Sequence, residues 1–193
     1  MKNYILVIAI IFMSLAMLSC NRNASRNADT KSDNKTSESP MNSASNTSDG
    51  NTAFDNQNAP GFSFVDTKGK RISLADYKGK IVIIDFWATW CPPCRRGIPD
   101  LIEIQKQYKG KVTVIGISLD TDTKKDVVPF MKNIGINYPV VYANAQVVQD
   151  YGNVEAIPTS FIIDKEGKIV NQHIGLTPKE TYINEINKLL DKS

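Results

Sequence analysis

An apolar run that leads straight into two closely spaced cysteines restricts the fold of this chain more than any other feature. Residues 81–87 read Ile-Val-Ile-Ile-Asp-Phe-Trp, an apolar stretch that only Asp85 interrupts. Such a stretch is typical of a strand buried on both faces of a sheet. Cys-Pro-Pro-Cys follows at positions 91–94, and prolines suit the first turn of a helix, where no N–H donor is needed. The sequence therefore predicts a strand, a turn and a helix that begins at the cysteines.

Two cysteines three positions apart on a first helical turn have a specific chemistry. They can close a disulfide, and the partial positive charge of the helix N-terminus lowers the pKa of the first thiol. Cys91 is therefore the expected nucleophile, and Cys94, one turn further in, is expected to attack the mixed disulfide and release the substrate. Arg95 and Arg96 either lower the thiol pKa further or are solvated charges on the helix surface.

Other roles for the cysteine pair fit the sequence less well. A zinc site needs two further ligands, but the whole chain has three cysteines and one histidine. Haem attachment needs a histidine directly after the second cysteine, where Arg95 stands. A structural disulfide is compatible with an oxidising compartment, but so short a loop gains little chain entropy. We therefore predict redox chemistry with no metal and no cofactor.

The N-terminus has the pattern of a bacterial export signal. Lys2 precedes an apolar stretch at 4–18, which is shorter than the roughly 20 residues of a membrane span. A small residue and then Cys20 follow the stretch, and this pattern resembles a bacterial lipobox. In a lipobox, the leader is cut before the cysteine, and the cysteine carries the lipid. We expect residues 1–19 to be removed and Cys20 to be lipidated, and an uncleaved anchor is the alternative. Both place the protein outside the cytoplasm.

A polar segment separates this leader from the rest of the chain. Residues 20–60 are dominated by Asn, Ser and Thr and show no strand or helix periodicity. Such a segment cannot bury enough apolar area to fold, so we expect a disordered tether, and a nonfunctional low-complexity insert is the alternative. About 40 residues of this kind span on the order of 35 Å. Residues 61–193 then form one globular domain of common size.

The charge of the chain excludes one class of partner. Lys and Arg total 23 against 20 Asp and Glu, a formal net charge of +3. A nucleic-acid-binding surface needs basic residues clustered on one face, and the sequence shows no such excess. We predict no nucleic-acid partner.

Strands and helices alternate along the domain. Thr177 is the expected N-cap of the last helix. The pattern predicts an α/β sandwich around a mixed sheet. Strands are expected at 62–65, 71–74, 81–87, 111–119, 138–142, 159–163 and 168–174, and helices from 92 and at 124–134, 146–151 and 178–190.

The segment at 84–94 resembles the active-site strand and turn of thioredoxin. Residues 61–80 are similar to the leading hairpin of the membrane-anchored TlpA/ResA branch, residues 120–142 to its additional helix and strand, and residues 156–161 to its cis-proline loop. The resemblance implies a thioredoxin-like α/β fold, with a central mixed β-sheet flanked by helices, an N-terminal β-hairpin and a TlpA/ResA-type insertion. It also implies thiol:disulfide oxidoreductase activity outside the cytoplasm. Members of the branch commonly reduce protein disulfides, including those of apocytochrome c before haem attachment.

The resemblance also implies substrate-binding positions. Pro158 would be cis and would pack beside the disulfide, although a trans proline is the commoner state at a strand start. Ile157 would offer its backbone groups to an extended substrate. We expect Trp90 and Pro92 to contact substrate, and Trp87 to lie in the core.

The sequence departs from the ResA pattern at one acidic position. Reductases of that type carry a glutamate three residues after the second cysteine, where this chain has Gly97. Asp85 occupies the position where thioredoxin keeps its buried aspartate, and burial raises a carboxyl pKa. We expect Asp85 to replace the glutamate as the acid/base that exchanges a proton with Cys94. A solvent-facing Asp85 is the alternative.

The expected partners are disulfide-containing proteins and a membrane electron donor of thiol-disulfide type. The sequence leaves the direction of electron flow open, so a disulfide oxidase or isomerase is an alternative to a reductase. A thiol peroxidase would need a further cysteine in the domain, which has two. A nonenzymatic copper-binding module would need His173 beside the cysteines.

Overall fold

The computed structural model describes residues 57–192. The predicted leader, the predicted lipid site Cys20 and residues 21–56 of the predicted tether lie outside the described residues. The first strand among the described residues, Gln57–Asn58, lies within the stretch that the sequence assigns to the tether. This strand pairs through its backbone with an edge of the sheet while its side chains stay exposed, so no apolar pattern marks it.

The domain has eight strands. They are β1 Gln57–Asn58, β2 Ser63–Val65, β3 Arg71–Ser73, β4 Ile81–Trp87, β5 Val112–Ser118, β6 Val140–Tyr142, β7 Thr159–Ile163 and β8 Lys168–Ile174. Six of them form one sheet in the order β1-β8-β7-β4-β5-β6. β4 is parallel to β5 and β5 to β6, whereas β7 is antiparallel to both β4 and β8, and β1 is antiparallel to β8. β2 and β3 form a separate antiparallel hairpin.

Four helices accompany the sheet. They are α1 Pro92–Gln107, α2 Lys124–Ile134, α3 Ala145–Asp150 and α4 Lys179–Asp191, and a short 3-10 turn occupies Leu74–Tyr77. No helix between residues 57 and 192 is both long and apolar enough to cross a membrane. The mixed sheet flanked by helices confirms the predicted fold class.

Alternate residues of β4 face two different cores. Ile81, Ile83 and Trp87 pack with buried residues of α1 and α4. Val82, Ile84 and Phe86 pack on the other face with residues of β3 and α3. Burial of each such side chain stabilises the fold by about 1.5–3 kcal/mol. Asp85 alternates along β4 in step with Ile83 and Trp87, so its side chain lies on the side of the sheet that α1 and α4 cover.

The structure corrects one detail of the last helix. The sequence predicts Thr177 as its N-cap, but Pro178 is the N-cap, with no side-chain capping bond, and the helix begins at Lys179. The Thr177 hydroxyl donates instead to the carbonyl of Gly175 at 3.4 Å. Its side chain also lies near the Tyr182 hydroxyl, where it acts to lower the pKa of Tyr182.

Candidate active site

Cys91 and Cys94 form a disulfide at the start of α1, with their Cα atoms 5.3 Å apart. Cys91 is the N-cap residue of the helix, and its Sγ accepts a hydrogen bond from the backbone N–H of Cys94 at 3.2 Å. The two side chains are 3% and 2% exposed. When the disulfide opens, the same N–H and the helix dipole stabilise a thiolate on Cys91.

The loop before β7 lies against this disulfide. The Ile157–Pro158 peptide bond is cis, as the resemblance implied, and the Ile157 carbonyl oxygen lies 3.7 Å from the Sγ of Cys91. The Pro158 carbonyl accepts a hydrogen bond from the Gly175 N–H at 2.7 Å. The Thr159 hydroxyl donates to the Ala156 carbonyl at 2.7 Å. These contacts fix the loop between the cysteines and the end of β8.

Exposed apolar side chains belong to the segments that meet at the disulfide. Trp90, directly before Cys91, is 60% exposed, and Pro92 is exposed as well. Ile174 and Leu176, which flank the Gly175 contact to the cis-proline loop, are 69% and 46% exposed. No local sequence pattern marks these last two residues, because only the folded loop carries them to the cysteines.

A buried carboxylate holds the turn before Cys91 in place. Asp120 accepts hydrogen bonds from the Thr89 backbone N–H at 3.0 Å and from the Ser118 hydroxyl at 2.8 Å. The hydroxyls of Thr89 and Thr123 donate to it as well. Burial acts to raise the pKa of Asp120, but these hydrogen bonds outweigh burial and hold the pKa below its ordinary value. The carboxylate thus ties the end of β5 to the active-site turn.

Asp85 is 3% exposed, so the solvent-facing alternative is wrong. Burial raises the pKa of Asp85 from 3.8 to about 8. Asp85 lines a small cavity together with Cys94, the second cysteine of the pair. The volume open to the centre of a water molecule is about 10 Å³. This volume is roughly the minimum that holds one water molecule. The cavity is lined by Asp85, Cys94, Gly97, Ile98, Leu101, Pro158, Gly175, Leu176, Thr177 and Tyr182.

Gly97 marks the place where the ResA pattern has a glutamate. A Cβ atom on Gly97 would lie 3.0 Å from the Cδ1 of Leu176. Leu176 therefore packs closely over the glycine, and a Cβ atom at position 97 fits only if Leu176 shifts by a few tenths of an ångström. The acidic residue that lines the cavity together with Cys94 is Asp85 of β4.

The remaining predicted residues lie outside this cavity. Trp87 is fully buried, as expected. The Arg95 guanidinium lies over the ring of Phe130, 5.4 Å from its centroid. His173 pairs with Glu185, with Nε2 and Oε2 3.0 Å apart. Between residues 57 and 192, no group of three or more His, Cys, Asp or Glu side chains is placed to hold a metal ion.

The sheet, the disulfide at the N-terminus of α1 and the cis-proline loop beside it together define a thiol-disulfide oxidoreductase of the thioredoxin fold. Comparisons with known proteins give the same class. The sequence pattern of the AhpC/TSA family matches residues 56–172. The thiol-disulfide oxidoreductase ResA of Bacillus thuringiensis (strain Al Hakam) is 42% identical over 133 residues, which are 68% of this chain and 76% of the relative.

Two solved structures of similar proteins share the fold. A thiol:disulfide interchange protein of the thioredoxin family from Chlorobium tepidum TLS superposes with a TM-score of 0.65 at 36% identity, over 70% of this chain and 97% of that one. The pneumococcal exposed lipoprotein thioredoxin from Streptococcus pneumoniae strain TIGR4 superposes with a TM-score of 0.59 at 32% identity, over 67% and 100%. This chain belongs to the AhpC/TSA family and is a ResA-like thiol-disulfide oxidoreductase.

Proposed function

We propose that the protein reduces disulfides of exported proteins outside the cytoplasm. The observation that carries the proposal is the Cys91–Cys94 disulfide at a helix N-terminus, with Cys94 and the buried carboxyl of Asp85 on one cavity. A carboxyl with a pKa near neutrality beside the second cysteine suits a dithiol that must lose a proton to react.

The reaction proceeds in two exchanges. The Cys91 thiolate attacks one sulfur of the substrate disulfide, a Cys91–substrate bond forms, and the other substrate sulfur leaves as a thiolate that takes a proton from solvent. Cys94 then gives its proton to the Asp85 carboxylate and attacks the Sγ of Cys91. The second substrate sulfur leaves, so that two electrons have moved to the substrate and the enzyme disulfide has formed.

Substrate binding is assigned to the surface around Cys91. The cis-proline loop offers the backbone groups of Ile157 next to Pro158 for pairing with an extended substrate segment. Trp90 and Pro92 supply exposed apolar contacts beside the nucleophile. Apocytochrome c, whose cysteines must be reduced before haem attachment, is the substrate that the ResA likeness favours.

The N-terminal sequence supports the proposed location. We propose that residues 1–19 are a cleaved leader, that Cys20 carries the lipid and that residues 21–56 tether the domain to the membrane. The likeness to a lipoprotein thioredoxin of Streptococcus pneumoniae is consistent with this arrangement. A membrane protein of thiol-disulfide type would return electrons to the Cys91–Cys94 disulfide.

The reduction potential of the cysteine pair tests the direction of the reaction. Equilibration with a dithiol buffer should give a value near that of thioredoxin, about −270 mV. A value near about −120 mV would contradict the reductase and favour the oxidase.

Two serine variants test the roles of the cysteines. Cys91→Ser should abolish turnover of a disulfide peptide, whereas Cys94→Ser should accumulate a stable mixed disulfide through Cys91. Full activity in Cys91→Ser would overturn the assignment of the nucleophile.

A further inference from the structure

Two buried hydroxyl groups, one of which lines the Asp85 cavity, lie within hydrogen-bonding distance of each other. The Tyr182 hydroxyl, on α4, lies 2.7 Å from the Ser160 hydroxyl, on β7. The two residues are 5% and 2% exposed. Ser160 is the register partner of Asp85 across β4 and β7, and paired residues of antiparallel strands point to the same face.

Tyr182 connects this cavity with the protein surface. It lines the cavity together with Asp85 and Thr177. The Thr177 side chain lies near the Tyr182 hydroxyl and acts to lower its pKa. Thr177 is half-buried and stands between the exposed residues Leu176 and Pro178. A row of oxygen atoms thus leads from the cavity, through Tyr182, to a residue that touches solvent.

The chemistry of Asp85 requires such a connection. Because burial raises the pKa of Asp85 to about 8, most of these carboxyl groups hold a proton at neutral pH. That proton has to leave before the carboxylate can accept the proton of Cys94. Asp85 is 3% exposed, so its carboxyl has little direct contact with bulk water.

We propose that the Tyr182 hydroxyl, which lies beside Ser160 and Thr177, positions and relays the proton that Asp85 exchanges with solvent. This inference rests on the proposed role of Asp85. One water in the cavity would accept the Asp85 proton and pass one of its own to the Tyr182 oxygen. Tyr182 gives its hydroxyl proton to the Thr177 oxygen, which releases a proton to solvent, so that every group ends neutral except the Asp85 carboxylate.

The ionisation of Tyr182 fits a relay. Burial, with a smaller contribution from Asp85, raises the pKa of Tyr182 to about 12. The hydroxyl therefore stays protonated over the working pH range, and it can both accept and donate a hydrogen bond. A group that does not itself ionise can pass a proton on without storing it.

Few other groups near Asp85 can account for a pH effect. Desolvation and Asp85 itself raise the pKa of Tyr138 well above its ordinary value, so this group does not titrate in the working range. The groups near Asp85 come from four segments of the chain: Cys94 from α1, Tyr138 from the segment before β6, Ser160 from β7 and Tyr182 from α4. The His173–Glu185 pair lies on the far side of Tyr182, whose ring contacts the His173 ring.

A stopped-flow experiment on the reduced full chain tests the relay. An aryl disulfide such as 5,5′-dithiobis(2-nitrobenzoate) releases one coloured thiolate when Cys91 attacks and a second when Cys94 attacks. Tyr182→Phe keeps the ring and removes the hydroxyl. The pH at which the second release reaches half its maximal rate should rise, because the carboxylate loses a polar neighbour. Each half unit of rise slows the second release at neutral pH about threefold.

Tyr108→Phe is the matched control. The Tyr108 hydroxyl also joins α1 to α4, through a 3.1 Å hydrogen bond to Asn187, but on the exposed surface away from the cavity. It should keep the wild-type pH profile. Thr177→Val and Ser160→Ala should shift the profile in the direction of Tyr182→Phe, and Thr177→Val decides the question if Tyr182→Phe does not fold.

The outcomes separate this inference from the proposed function. A Tyr182→Phe profile that superimposes on the wild type overturns the relay. If Asp85→Asn also leaves the profile unchanged, the role of Asp85 itself is wrong. If Asp85→Asn changes the profile and the hydroxyl variants do not, only the relay fails. A purely structural role for Tyr182 would lower the unfolding temperature and leave the pH dependence in place.

Discussion

The substitution Asp85→Asn should stabilise the oxidised protein, and the gain should depend strongly on pH. Asparagine has nearly the same shape as aspartic acid and cannot ionise. The folded protein raises the pKa of Asp85 to about 8, whereas the unfolded chain leaves it near 3.8. Ionised Asp85 is therefore a cost of folding, and the variant removes that cost.

The pH window follows from the direction of the shift. Below about pH 4 the carboxyl is protonated in both states and contributes no penalty. Between about pH 4 and 8 the unfolded chain releases the proton and the folded protein keeps it, so the free energy of unfolding falls as the pH rises. A shift of about four pKa units at about 1.36 kcal/mol each gives a full penalty of about 6 kcal/mol.

Guanidinium chloride unfolding of the oxidised full chain measures this difference. The free energies of unfolding of wild type and Asp85→Asn are compared at about pH 4 and about pH 9, with similar m-values expected in both proteins. Other titrating groups are common to both chains and cancel in the comparison. The variant should gain about 1 kcal/mol or less at the acid end and several kcal/mol at the alkaline end.

The result that would refute the reasoning is a difference between the two proteins that stays constant across this pH range. It would mean that Asp85 has an ordinary pKa in the folded protein. The carboxyl could then not exchange a proton with Cys94 near neutral pH, and the burial argument would be wrong.

Two further predictions concern the surroundings of the disulfide. Asp120→Ala removes the acceptor of the hydrogen bonds from Thr89, Ser118 and Thr123, and it should lower the free energy of unfolding by about 2–4 kcal/mol. Thermal unfolding measures this loss. A loss below about 0.5 kcal/mol would contradict the prediction. Gly97→Glu should displace Leu176 and bring a second carboxyl towards Asp85. Like charge should raise the pKa of Asp85 further and slow the Cys94 step at neutral pH about threefold or more; an unmoved pH–rate profile would show that the new side chain stays outside the cavity.

The sequence predicts those parts of the fold that a local pattern encodes. The apolar run of β4 gives its bounds, and the Cys-Pro-Pro-Cys motif gives the start of α1. β1 carries no such pattern, because it pairs with the sheet through its backbone and its side chains are exposed.

The sequence predicts fewer of the residues that form the cavity and its surroundings. Asp85 could be predicted because a carboxyl within an apolar strand is conspicuous. Ser160 and Tyr182 could not, because their meeting depends on the register of β7 against β4 and on the rotation of α4, which only the folded chain fixes. Thr177 was predicted to cap a helix, and it instead joins the hydroxyl row beside the cavity.

The rate at which Cys94 resolves a mixed disulfide tests the central claim most directly. In the stopped-flow experiment, the second thiolate release measures this step apart from the attack by Cys91. In the wild type it should accelerate as the pH rises through about 8, and in Asp85→Asn it should be about 100-fold slower at neutral pH. Equal rates in the two proteins at every pH would contradict the claim that Asp85 accepts the Cys94 proton.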